Sequence, residues 1–265
     1  EKGFDFVRNN SEPMDQNGHG THVAGIVAAK DYGVAPGARL YAVRVLDEQG
    51  SGSEADAMAG IEWCVKNNVD VANMSFGSPY ASEGLEAMCN YARQQGILLV
   101  AAAGNNGYGA NYPAAFGESV IAVAAVDEDL SHPEFSSIFE TNDISAPGVN
   151  VMSTYLGERY ATLSGTSMAS PHVAGAMGLA LSIRNGTDNL ESVLKEKAEN
   201  LGANEIFGAG LVKVDRMAAY LSGAAKSRQD SSKYLGSYFA FEKKADAAIG
   251  RFTKDAISEM KRLFL

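Results

Sequence analysis

Gly165-Thr166-Ser167-Met168-Ala169-Ser170-Pro171-His172-Val173-Ala174-Gly175 sets a serine where a tight glycine turn runs into a helix of small residues. A helix start exposes backbone N–H groups that have no intrahelical partner, and it carries the positive end of the helix dipole. A serine held there can attack a carbonyl carbon while that end of the helix stabilises the negative charge formed. Read alone, Ser167 is also an ordinary N-cap, a commoner role for serine.

Two other stretches shift the balance. Asn17-Gly18-His19-Gly20-Thr21-His22-Val23-Ala24-Gly25 places a histidine at a second glycine-flanked helix start, and Leu99-Val100-Ala101-Ala102-Ala103-Gly104-Asn105-Asn106 ends an apolar strand on a carboxamide. A base, an amide donor and a nucleophile therefore occur in the order His, Asn, Ser, each at the mouth of a structural element.

The intervening pattern sets the fold class. Short apolar runs at 40–46, 69–76, 97–103, 120–126 and 149–155 predict strands, and helical periods lie at 19–30, 54–67, 83–95, 167–184 and 188–200. Such alternation predicts an α/β fold with a mainly parallel sheet covered on both faces. In these sheets the working residues gather at strand ends and the helix starts beside them. The helix from 167 is apolar nearly all round, which predicts burial at the centre.

Composition narrows the remaining classes. A chain of 265 residues with 46% hydrophobic content can bury a full core. Its longest apolar runs are about seven residues, far short of a membrane span. A net charge of −10 argues against general nucleic-acid binding. Charge is unevenly spread: residues 226–265 carry nine Lys/Arg against five Asp/Glu, a net of +4, which leaves −14 on the rest. Cys64 and Cys89 sit in amphipathic helical patterns and read as buried free thiols. From 223 a Ser/Lys/Gln linker leads to a basic stretch in which Ile249, Phe252, Ala256, Ile257, Met260, Leu263 and Phe264 keep a helical period. That extension reads as a helix folded onto the body, or one that meets a partner domain or a membrane surface.

The three motifs resemble those of the subtilisin-like serine proteases, the subtilases of peptidase family S8, and the resemblance runs from about Gly3 to Leu221. It implies a three-layer αβα sandwich with a doubly wound sheet over 1–222, followed by the extension at 223–265. It further implies a serine endopeptidase acting on polypeptides through an acyl-enzyme, with Ser167 as nucleophile, His19 as general base and Asn105 in the oxyanion hole. Gly50, Ser51 and Gly52 would form one substrate-pairing strand and Ser75, Phe76 and Gly77 the other. Ala102, Ala103 and Gly104 would wall the primary specificity pocket above Asn111 and Tyr112. Small walls imply a roomy slot and a broad preference for large apolar P1 side chains.

Glu54 and Asp56 read either as rim groups of a more distant subsite or as acids at a helix start. The chemistry implies no cofactor. Subtilases often carry a structural calcium after the histidine helix, but 29–36 connects briefly with one acidic side chain, Asp31, and calcium prefers six to eight oxygens. The usual site is therefore expected to be absent, with carbonyls near 114–119 as a weaker cation candidate. Extracellular residence goes with the family.

One family element is missing. The triad aspartate ends a strand upstream of the histidine in an aliphatic-Asp-Ser/Thr-Gly run, and residues 1–18 contain none. Asp5 falls in what resembles the next strand, and Asp15 in the loop before the histidine helix. The expectation is either a protease completed by a missing N-terminal segment, or a catalytically inactive subtilase-like module that binds peptide without turnover.

Overall fold

The computed structural model describes residues 3–183 and 187–223. At its centre four parallel strands run in the order β3 (Val71–Met74), β4 (Leu98–Ala102), β5 (Ile121–Val126) and β6 (Ile144–Pro147). Register is set by Val71 opposite Leu98, Val100 opposite Ile121 and Val123 opposite Ile144. Strands β4 and β5 are buried along their whole length, as expected where both faces of a parallel sheet are covered.

The period of two divides each strand between two cores. Leu98, Val100, Val123 and Ala125 face Ala169, Val173, Ala176 and Met177 of α4 (Thr166–Ile183), together with Leu190, Val193 and Leu194 of α5 (Leu190–Lys197) and Met217 of α7 (Val214–Leu221). Leu99, Ala101 and Ala122 face the other way, onto Ala57, Ile61 and Cys64 of α2 (Glu54–Lys66) and Leu85, Cys89 and Ala92 of α3 (Glu83–Gln94). The result is a three-layer αβα sandwich.

A second parallel pair, β1 (Gly3–Asp5) with β2 (Ala42–Arg44), stands apart from the four-stranded sheet. Of the two, β2 lies under α2: Val43 joins the core that α2 shares with β3 and β4, and a Cβ on Gly60 would touch Val43 and Val45. Among the described residues β2 pairs only with β1, and β3 only with β4. Two strand edges under one helix therefore go unpaired with each other. An antiparallel hairpin, β7 (Val151–Tyr155) and β8 (Arg159–Leu163), completes the strands.

Helix starts follow their local chemistry. Ser53 and Ser82 cap α2 and α3 by accepting from the N–H groups of Asp56 and Leu85. Glu54 accepts from the Ser82 hydroxyl and Asp56 from that of Ser53, so both acids are engaged at helix starts. Cys64 and Cys89 are free and buried, and burial pushes their thiols up to about 11 and about 12. They are inert at neutral pH. No described helix is long and apolar enough to cross a membrane. Beyond Gly223 the expected linker and basic amphipathic helix lie outside the described residues.

Candidate active site

The site is built at the starts of two helices. α4 takes up Thr166 directly after Gly165, whose φ of 153° suits glycine. A Cβ there would stand 3.3 Å from Asn105 Nδ2, so the missing side chain lets the carboxamide close in. Pro171 lies inside α4 and has no N–H for the carbonyl four residues back, that of Ser167. The Ser75 hydroxyl donates to that carbonyl at 2.8 Å, and the Ser167 hydroxyl donates to the Ser75 carbonyl at 3.1 Å. Behind them, Asn73 donates to the Ser75 hydroxyl (2.9 Å) and accepts from Ser170 (2.7 Å). The half-buried Ser167 is thereby tied to the end of β3.

Asn105 lies just beyond β4. Its Oδ1 accepts from the Thr166 N–H and hydroxyl, both at 2.9 Å, while Thr166 Oγ1 accepts from the Gly104 N–H at 3.1 Å. The carboxamide is thus pinned through its oxygen. Its exposed NH2 has no partner among the described residues and is left to donate beside the Ser167 turn.

The histidine helix, α1 (His19–Ala28), begins after Gly18 in a left-handed conformation (φ 101°). A Cβ at Gly18 would fall 2.3 Å from the Tyr155 ring. Asp15 caps this start: Oδ1 accepts from Asn17 N (2.9 Å) and Gly18 N (2.8 Å), and Oδ2 from Thr21 N (2.7 Å) and the Thr21 hydroxyl (2.6 Å). Burial pushes the Asp15 carboxyl up, but those donors prevail and hold it below its usual value. Helices α1 and α4 pack against each other. His22 acts electrostatically on His172 near their starts, and a Cβ on Gly175 would meet the Val27 carbonyl further along. Both numbers rise together, so the helices run parallel and their N-termini open at the same end. His19 and Ser167 share that end, with Asn105 beside them. Desolvation lowers the His19 pKa below its ordinary 6.5, opposed in part by the Asp15 charge.

The expected groove strands flank this end. Asn17 donates to the Glu48 carbonyl, and the turn through Gly50, Ser51 and Gly52 folds back on Asp47, which places that segment beside the His19 loop. Ser75 meets Ser167 as described. Phe76 and Gly77 continue to Ser78, which pairs with Tyr112 through hydrogen bonds of 2.9 and 2.7 Å.

The family model "Subtilase family" matches residues 1–210. The chain is a member of the subtilases. It is 49% identical to the "Thermostable alkaline protease" of Halalkalibacterium halodurans over 81% of this chain and 61% of that protein. It is 46% identical to "Subtilisin Savinase" of Lederbergia lenta over 80% of this chain and 82% of the relative. Among solved structures, a cold-adapted subtilisin-like serine proteinase matches with a TM-score of 0.73 at 36% identity, covering 79% of this chain and 78% of the other. The chain thus spans under two thirds of the first of these relatives.

In this subtilase neither early aspartate is oriented toward an imidazole. Asp15 spends both oxygens on the helix start. Asp5, fully buried, holds Arg44 (2.9 Å) and the Arg8 N–H (2.9 Å). Among the described residues no carboxylate hydrogen-bonds the His19 ring. His22 and His172 are structural. His22 Nε2 lies 3.1 and 3.0 Å from the Val151 and Ala161 carbonyls, so it carries the proton, and its buried Nδ1 has no partner among the described residues. His172 Nδ1 lies 2.8 Å from the Met168 carbonyl.

The loop after α1 is held by backbone hydrogen bonds. The Ile26, Val27 and Ala29 carbonyls accept from Val34, Ala35 and Gly33 and are turned inward. Near 114–119, the Pro113 and Gly117 carbonyls are likewise taken by Phe116 and Val120.

Sequence reasoning missed Thr166 as the anchor of Asn105, and it placed Asn111 on the pocket floor without its reach. Asn111 donates Nδ2 to the buried Ala102 carbonyl at 2.8 Å and is itself buried. A Cβ on Gly77 would lie 2.2 Å from that Nδ2, and one on Gly104 2.8 Å from Asn111 Cβ. The Asn111 carboxamide thus packs against the backbones of Gly77 and Gly104.

The buried histidines make a stability prediction. Burial lowers the His172 pKa to about 4, with the Met168 carbonyl opposing. Between 6.5 and about 4 the unfolded chain takes the proton and the folded one does not, so stability falls as pH drops through that window, by up to about 3 kcal/mol. His22, also lowered by burial, adds in the same sense. Urea midpoints measured from pH 7.5 to 4 should fall, and His172→Gln should flatten that slope. An unchanged slope in the variant would contradict this assignment.

Proposed function

We propose that this subtilase is a serine endopeptidase that cuts polypeptides through an acyl-enzyme. The observation that carries the reading is the parallel pair α1 and α4, which opens His19 and Ser167 at one end beside the free amide of Asn105. Ser167 Oγ bonds to the scissile carbonyl carbon while His19 takes its proton. The oxyanion receives N–H groups from Asn105 and from the Ser167 backbone. The C–N bond then breaks, His19 protonates the departing amine, and water repeats the sequence on the ester. The strands at 50–52 and 75–77 hold the substrate extended, by β-strand addition.

His19 still needs an orienting carboxylate. We assign it to a further segment that enters as a strand between the unpaired edges of β2 and β3 and carries the family's Asp-Ser/Thr-Gly run. The chemistry uses no cofactor, and extracellular residence follows the family. A second reading, a peptide-binding module without turnover, is favoured by the lack of a carboxylate on the His19 ring among the described residues.

Incubation with a fluorophosphonate separates the two. The expected result is one covalent adduct, placed on Ser167 by peptide mass mapping. A folded protein that stays unlabelled after prolonged exposure would leave only the binding module.

A further inference from the structure

Three consecutive side chains of β7 reach the histidine helix. The Ser153 hydroxyl donates to the His22 carbonyl at 2.7 Å, Thr154 to the Thr21 carbonyl at 2.9 Å, and Tyr155 to the Asn17 carbonyl at 3.1 Å. His22 Nε2 reaches back to the Val151 and Ala161 carbonyls of the hairpin. A Cβ on Gly25 would fall 2.3 and 2.2 Å from the Ser153 and Thr154 hydroxyl oxygens, so α1 lies directly against the strand. The same hairpin runs into the nucleophile turn. Its base is closed by Asn150 N–H on Ser164 Oγ (2.8 Å) and Gly165 N–H on the Gly148 carbonyl (2.7 Å), and Thr166 and Ser167 follow at once. One β-ribbon therefore fixes the start of α1 relative to the start of α4.

Tyr155 makes the contact at the entry to His19. Asp15 takes the Thr21 N–H, the donor that an α-helix would aim at the Asn17 carbonyl. The Tyr155 hydroxyl meets that carbonyl instead, and Gly18, at φ 101°, rests on the Tyr155 ring. Asp15 thus holds Asn17 and Gly18 by their N–H groups, while Tyr155 holds them by carbonyl and ring. We propose that Tyr155 is a positioning residue that sets where the His19 imidazole stands relative to Ser167. The proposal rests on the endopeptidase reading. Among the described residues no carboxylate holds that ring, so its alignment falls to the backbone that carries it. A displacement of about 1 Å caused far from the reacting atoms can cost about 10²-fold in rate.

The test is Tyr155→Phe in the full chain, which keeps the ring under Gly18 and deletes the hydroxyl. The probe is a fluorophosphonate: Ser167 Oγ forms the P–O bond, fluoride leaves, and His19 takes the serine proton. Its kinact reports that step and its KI the binding before it. We expect kinact to fall at least about threefold, with KI and the urea midpoint as in the parent. Desolvation holds the His19 pKa below 6.5, so the midpoint of the parent's rate–pH profile should lie below that value and rise toward it in the variant, as the freed ring gains water. A kinact that falls by less overturns the proposal, and so does an unmoved pH midpoint. A tyrosine that only packs would lower the urea midpoint and leave kinact of the folded protein unchanged, which overturns it as well. In all of these outcomes the parent takes the label and the endopeptidase reading stands. A parent that takes none ends both.

Discussion

Ser167→Ala should remove covalent labelling entirely and lower turnover of an activated peptide ester, by an amount that depends on the carboxylate partner. In subtilisin itself, loss of the serine costs about 2 × 10⁶ in kcat and loss of the aspartate alone about 3 × 10⁴. The triad acts as a unit, so these losses do not add. In the chain as it stands the serine is expected to contribute about a further seventyfold, the ratio of those two losses. With the aspartate supplied, the same substitution should cost about 10⁶. The measurement is kcat on a thiobenzyl ester with and without the substitution. A variant that keeps the parent rate would show that Ser167 only ties α4 to the end of β3.

The second large effect concerns the aspartate. Joining upstream of residue 1, or co-producing, a strand with an aliphatic-Asp-Ser/Thr-Gly run should raise kcat about 10⁴-fold. The strand should also protect β2 and β3 in hydrogen exchange, because their free edges gain partners. Alanine at the supplied aspartate should cancel the rate gain and keep the protection. Protection without any gain in rate would mean that His19 is oriented by something else. A gain in rate without protection would place the aspartate elsewhere than between β2 and β3.

The fold was legible where one residue type dominated a run. The apolar stretches at 97–103 and 120–126 became β4 and β5 because both faces of those strands are covered, so periodicity was not needed to find them. The helix expected from 167 to 184 starts one residue earlier and is described as far as Ile183, and it runs through Pro171, whose missing N–H leaves the Ser167 carbonyl to Ser75. β6 was missed: Ile144-Ser145-Ala146-Pro147 has one large apolar side chain, and its burial comes from neighbours rather than composition. β8 was missed because Arg159–Leu163 is largely exposed and held by its hairpin partner.

At the site, His19, Asn105 and Ser167 stood out because each sits beside a glycine that admits a close approach. The roles of Thr166 and Asn111 were hidden for a common reason. Each depends on which backbone group another segment brings to it, and spacing along the chain carries no record of that. Asn111 is the clearest instance, since two glycines far apart in sequence define the gap it occupies.

Pro171 has a consequence for anyone reshaping the groove. By leaving the Ser167 carbonyl to Ser75, it makes the chain after β3 and the Ser167 hydroxyl one mechanical part, held by two reciprocal hydrogen bonds. Loop grafts that shift the backbone at 75–77 will drag the alcohol out of alignment. Tailored cutting preferences are better sought by exchanging side chains that project into the slot, with the main chain left untouched.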